Sequence, residues 1–258
     1  MRDDEVQRMA DLEDQHWWYR GLRRLVVSFL HAIVPSLATK QSSDSTLQIL
    51  DAGAGTGGML YAIEQSLRSS GRDVALTAVD SSELACRITR RRLERTSTHL
   101  GSVLSLPFDH SVFDIVLCLD VLGQDGVGVD AALEELHRVL VPRGAAIINV
   151  AAFDWMRSYH DEAVGQVRRF GRDEVADALS TAGFRIERIS YWNCFLFPVM
   201  AIRRKVLPRR DAASDVQSTS RLTDLIGSWA LSIEHGLIDR GMNLPFGGSV
   251  IVLARREV

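Results

Sequence analysis

From Leu47 onward the chain alternates apolar runs of strand length with stretches in which apolar residues recur at helical spacing. That alternation predicts a parallel sheet with helices on both faces. The runs predicted as strands are 48–51, 75–80, a short one at 98–101, 113–119 and 145–151. Helices fill most of the gaps. One spans 130–140 and is stopped by "VPRG", where Pro142 and Gly144 turn the chain into the fifth strand. Another spans 172–182, ends at Gly183 and leads into "FRIERISYW". About fifty residues of helical character then intervene before a last strand, "GSVIVLARR". An insertion of that size before a final strand predicts a cap over a pocket or an oligomer contact.

The N-terminal region carries its own pattern. Read as one helix, Leu12, Tyr19, Leu22, Val26, Phe29 and Ile33 form an apolar stripe, with Trp18 at its edge. Trp17 falls about 160° from the stripe's centre, on a face shared with Glu13, Arg20 and Arg24. It is either a stray aromatic on a core helix or part of a lid over a ligand.

Composition narrows the class. A chain of 258 residues with 46% hydrophobic content can build one large α/β domain and a small cap, but not two full domains. A net charge of −3 offers no global attraction to nucleic acid. Cys86, Cys118 and Cys194 form neither a C-x-x-C pair nor an even disulfide set, which suits a reduced, cytoplasmic protein without structural zinc or any other metal. The polar, acidic start does not resemble a signal peptide, and no run reaches the length of a transmembrane segment. The stretches "ATKQSSDSTL" and "RRDAASDVQSTSR" read as linkers.

The candidate chemistry begins at "LQILDAGAGTGGML", an apolar strand ending in an acid, a glycine-rich turn and a helix start. Such a turn lets the backbone approach a ligand and offers free N–H groups to it. Gly53, Gly55 and Gly58 satisfy the dinucleotide pattern G-x-G-x-x-G, with Asp80 where a ribose-binding acid belongs. Gly53, Gly55 and Gly57 equally satisfy a G-x-G-x-G loop. The turn alone leaves both readings open.

The rest of the chain supplies a resemblance. "LDAGAGTGG", "LTAVDSS", "GSVLSLPFDHSVFDIVLCLDVL", "LEELHRVLVPRGAAIINV" and "ALSTAGFRIERI" together resemble the class I S-adenosylmethionine-dependent methyltransferases, of the methyltransferase type 11-like kind that includes quinone-biosynthesis enzymes. The resemblance implies a Rossmann-like α/β fold with a seven-stranded sheet, six strands parallel and the seventh returning antiparallel between its neighbours. It divides the chain into an N-terminal helical lid (1–38), a cofactor-binding core (47–192), a helical cap (193–245) and a final strand (246–258). It implies S-adenosylmethionine as cofactor. Asp51, Gly53, Gly55 and Gly57 would meet its methionine part, and Asp80, with Ser81 beside it, its ribose hydroxyls. Ser102 stands where many relatives carry an acid for the adenine amino group, Val103 would offer a backbone N–H, and Leu119 ends the fourth strand at the site. In the lid, Trp17 would cover the sulfonium while Arg20 or Arg23 pairs with the carboxylate. Gly123 and Gln124 occupy positions where relatives often show Glu-His.

Two further stretches carry readings of their own. "SYHDEAVGQVRRF" follows the fifth strand, where His160 with Asp161, or Tyr159, would serve as a general base. A His-Asp neighbour pair is also commonly a helix cap, and Arg168 and Arg169 are either anion-holding or a solvated face. "FLFPVMAIRRKVLPRR" suits a cap helix packed on the sheet or an interfacial helix near acidic lipid, the cap being favoured. The expected acceptor is a small-molecule or lipid-linked intermediate, with a homodimer open and a nucleic-acid substrate disfavoured. A cofactor-binding sensor or partner subunit without methyl transfer is the alternative.

Overall fold

The computed structural model describes residues 2–38, 46–205 and 221–257. Most of both Ser/Thr-rich linkers, and the last part of the "FLFPVMAIRRKVLPRR" run, lie outside the described residues.

The apolar runs become seven strands of one sheet. β1 (Leu47–Ala52), β2 (Val74–Asp80), β3 (Ser97–Leu100), β4 (Phe113–Leu119), β5 (Leu140–Ala151), β6 (Phe184–Trp192) and β7 (Ser249–Arg256) stand in the order β3-β2-β1-β4-β5-β7-β6. β7 runs antiparallel to both β5 and β6, so the other six are parallel to one another. The order reverses between β1 and β4, and an open α/β sheet binds its ligand at such a switch point, outside the strands' carboxyl ends. Ile49, Leu50, Ile115, Val116, Leu117, Ile147 and Ile148 are fully buried. Such central strands are apolar throughout because helices cover both faces.

Nine α-helices lie among the described residues: α1 (Asp3–Leu12), α2 (Trp17–Ala38), α3 (Gly58–Ser69), α4 (Glu83–Arg92), α5 (Val129–Val139), α6 (Tyr159–Val164), α7 (Arg172–Thr181), α8 (Phe197–Lys205) and α9 (Arg221–Asp239). Two boundaries differ from the sequence reading. The N-terminal helix is broken at residues 13–16, so Leu12 belongs to α1 and not to the α2 stripe. "VPRG" is an irregularity inside β5 and not a turn before it. Leu140 already pairs with Phe113, and the register shifts before Ile115 pairs with Ala145, while Arg143 takes a φ of 66°.

Of the expected α2 stripe, Leu22, Val26, Phe29 and Ile33 join the core and Tyr19 is half-buried, while Leu25 and Leu30, outside that stripe, join the core as well. The opposite face of α2 is covered by α9. An added Cβ on Gly21 would lie 2.2 Å from Leu231, and one on Gly227 would lie 2.6 Å from the Trp17 ring, so the two glycines let the helices approach. Arg20 ion pairs with Asp224 at 2.5 Å and donates to Ser228 Oγ at 2.8 Å. The off-stripe position of Trp17 thus follows from α2 packing on the core with one face and on α9 with the other.

Candidate active site

The carboxyl ends of β1, β2, β4 and β5, the Gly101–Val103 turn after β3, and the N-terminal and α8–α9 segments enclose a cavity of about 980 Å³. Of the residues expected to hold the cofactor, Asp51, Gly53, Gly55, Asp80, Ser81, Ser102, Val103, Leu119 and Trp17 line it. Gly57 and Arg20 do not.

The glycine-rich turn has the conformation its composition predicts. Gly53, Gly55 and Gly57 have φ of 98°, 55° and 78°, a region that side-chain-bearing residues enter only with strain. Gly57 caps α3, packs on Thr89 and does not line the cavity. Asp80 fixes the turn: its Oδ2 accepts the Gly55 N–H at 2.8 Å and its Oδ1 accepts the Ser82 N–H at 2.8 Å. Two of the roughly four lone-pair sites of a carboxylate are used, leaving two that can accept further hydrogen bonds.

Asp51 is different. It is buried, its Oδ1 has no hydrogen-bond partner, and burial followed by the nearby Asp80 charge pushes its carboxyl up to about 7. A buried carboxylate oxygen without a partner fits a cationic donor such as an ammonium group. The two acids therefore differ: Asp80 is pinned to the loop, and Asp51 has an unsatisfied oxygen.

A third strand ends in an acid that the sequence reading passed over. Asp120, after β4, lines the cavity with a φ of 59°. Its Oδ1 accepts a hydrogen bond from Asn149 Nδ2 at 2.9 Å, and Asn149 Oδ1 accepts one from Trp192 Nε1 at 2.7 Å. Burial pushes Asp120 up to about 7 against the lowering effect of Asn149 and the Arg169 charge. The signal was present, since Asp51, Asp80 and Asp120 all close apolar strands at the same sheet edge. Glu13 had no such signal. It is buried at the break between α1 and α2, accepts from Thr56 Oγ1 at 2.5 Å, and ion pairs with Arg23 at 2.9 Å and Arg92 at 2.6 Å. Met9 from α1 rests against the Gly55 position.

Several expected roles are corrected. Arg20 faces α9, held by Asp224 and Ser228, because that helix offers the partner its charge needs. Arg23 lines the cavity but is engaged by Glu13 and by Asp14, the latter at 2.8 Å. Tyr159 does not line the cavity, whereas His160 does. Asp161 serves as a cap and an ion-pair partner: its Oδ2 accepts the Ser158 N–H at 2.9 Å, and its Oδ1 accepts from Arg169 Nε at 2.6 Å. Arg169 is buried with it, while Arg168 is exposed and paired with Glu174.

A family profile described as a methyltransferase domain matches residues 49–144. No curated protein matches the chain. Among solved structures, the chain is similar to an S-adenosylmethionine-dependent methyltransferase from Mesorhizobium loti, at 17% identity over 87% of this chain and 98% of that one, with a TM-score of 0.55. It is similar to a geranyl diphosphate methyltransferase in complex with GPP and sinefungin, at 14% identity over 82% and 71%, with a TM-score of 0.52. It is also similar to the [4+2]-cyclase SpnF, at 18% identity over 88% and 80%, with a TM-score of 0.53. At these identities the structural likeness shows the fold, and the family profile describes residues 49–144. With that match at the centre of this sheet, residues 49–144 form a methyltransferase domain within a seven-stranded Rossmann-like fold.

Proposed function

We propose that the protein transfers the methyl group of S-adenosylmethionine to an O, N or C nucleophile of a small-molecule or lipid-linked biosynthetic intermediate. The observation that carries this reading is the pairing of an unpartnered buried acid, Asp51, with a loop-pinning acid, Asp80, across one glycine-rich turn. The bound cofactor supplies an electrophilic methyl on a sulfonium that is already a good leaving group. The chain's own contribution is position and exclusion of water.

In this reading Asp51 takes the ammonium, Asp80 the ribose hydroxyls, and the Val103 N–H the adenine edge, with Ser102 and Leu119 beside them. Trp17 and Trp18 close the wall from the N-terminal segment, Trp18 stacked on Trp192 at 5.6 Å. Ligand pockets span about 300–1,000 Å³, so a cavity at the upper end leaves room for an acceptor beside the cofactor. An acceptor that must lose a proton meets Asp120, held by Asn149 and with its affinity for a proton raised near neutrality, or His160. Fold alone does not choose the reaction, since the [4+2]-cyclase SpnF has a similar one. Calorimetry with S-adenosylmethionine, its demethylated product and NAD tests the reading. Binding of the first two and not the third is expected; NAD binding without response to S-adenosylmethionine would overturn it. Retained binding with no turnover across a broad acceptor panel would favour the sensor alternative.

The affinity should also depend on pH. An ammonium beside Asp51 favours its ionised form, so binding expels a proton wherever the free protein holds one there. With a free-state value of about 7, affinity is expected to fall roughly fivefold between pH 7 and pH 6. Asp51→Asn should flatten that dependence. In the free protein the sign is reversed: a carboxyl raised on folding costs stability as pH climbs from about 4 to about 7.

A further inference from the structure

The α8–α9 segment has an exposed face that only partly joins the site. On α9, Leu222, Leu225, Ile226, Trp229 and Ile233 recur at helical spacing and are all exposed, Trp229 by 67%. The opposite side of the same helix, with Gly227, Ala230, Leu231, Glu234 and Ile238, is buried, on the side facing α2. On α8, Val199 and Ile202 are exposed, and the last turn carries Arg203, Arg204 and Lys205. Glu234 ties the start of α8 to α9, its Oε1 accepting the Phe195 N–H at 2.8 Å.

Single exposed apolar side chains mean little, but a contiguous stripe rimmed by cations marks an interaction surface. Three observations choose its occupant. A tryptophan within an apolar stripe suits the boundary between water and acyl chains, where its ring and N–H meet different solvents. A basic last turn on α8, whose Arg203 and Arg204 line the same cavity as Ile226, suits an anionic headgroup layer. The third is continuity with the cavity: Val199, 64% exposed, and Ile226, 50% exposed, line it together with Arg203, Arg204 and Thr223, so the stripe forms its rim.

We propose that the α8–α9 face docks on an anionic lipid surface and brings the rim of the cavity to the membrane. Resting on the methyltransferase reading, this points to an acceptor that is itself amphipathic and enters from the lipid side. No helix among the described residues is long and apolar enough to cross a membrane, so the contact is interfacial.

Flotation of the full chain with equimolar phosphatidylglycerol/phosphatidylcholine vesicles, against phosphatidylcholine alone, tests it, with S-adenosylmethionine affinity measured on the same samples. Binding to the anionic vesicles that weakens with salt is expected. Leu225→Ser with Trp229→Ser should abolish it while leaving cofactor affinity unchanged, since both side chains are exposed. Lys205→Gln should weaken it about fivefold, the equivalent of about 1 kcal/mol per cation near such a surface. Absence of flotation in a protein that binds cofactor would overturn the surface and spare the methyltransferase reading. Flotation without cofactor binding would do the reverse. Equal binding to both vesicle types would overturn the electrostatic part. A concentration-dependent dimer that the double variant dissolves, with no vesicle binding, would assign the stripe to a second copy.

Discussion

Arg169→Met is expected to lower folding stability by roughly 3–5 kcal/mol, the cost of leaving one member of a buried ion pair alone. Arg169 and Asp161 are both buried, their side chains 5% and 1% exposed, and meet at 2.6 Å. Arg169 also donates to the Ala152 carbonyl at 3.0 Å, so it staples the end of β5 to the α6 segment. Removing it takes the partner of Asp161 Oδ1 and leaves the carboxylate the Ser158 N–H and hydroxyl, both donating to Oδ2. The check is denaturant unfolding of Arg169→Met beside the double variant Asp161→Leu, Arg169→Met. Replacing both charges removes the stranded group, so the double variant should recover much of the loss. A double variant as unstable as the single one would show that the arginine acts through packing and not through its partner.

Asp80→Ala is expected to weaken S-adenosylmethionine binding by roughly 1.5–3 kcal/mol, or about ten- to 150-fold, the scale of hydrogen bonds to a charged group. Two effects combine in that figure. The ribose loses an acceptor, and the Gly55 and Ser82 N–H groups lose the carboxylate that sets the loop. Melting temperatures without ligand separate them, because a loosened loop should also register there. Calorimetry showing unchanged affinity would place the ribose partner elsewhere.

The central sheet was legible because local pattern and tertiary role coincide in it. Strands buried on both faces must be apolar along their length, so β1, β2, β4 and β5 announce themselves, and the acids ending them stand out against that background. The turn at Gly53–Gly57 was legible for the same reason: positive φ is a local requirement that glycine meets at low cost. The insertion of β7 between β5 and β6 was not read from periodicity. It came with the family resemblance, and the pairing of Asn149 with Ile251 and of Ser190 with Ile251 bears it out.

What pattern could not supply was the partner of each side chain across the fold. Trp17 and Arg20 lie off the apolar stripe of α2, and nothing within their own helix says that a second helix covers them. Gly227, Asp224 and Ser228 do so from about two hundred residues away. Asp161 beside His160 suggested a catalytic pair, but hydrogen-bond geometry gave Asp161 to Arg169 and Ser158. Sequence by itself therefore determined the central strands, the glycine-rich turn and the two acids beside it, because those depend on burial and backbone conformation that each residue type reports locally. Only the tertiary structure decided that Arg20 braces α9, that Asp120 faces the cavity and that one side of α9 is left open, because charge pairing and exposure belong to surfaces that meet only when the chain has folded.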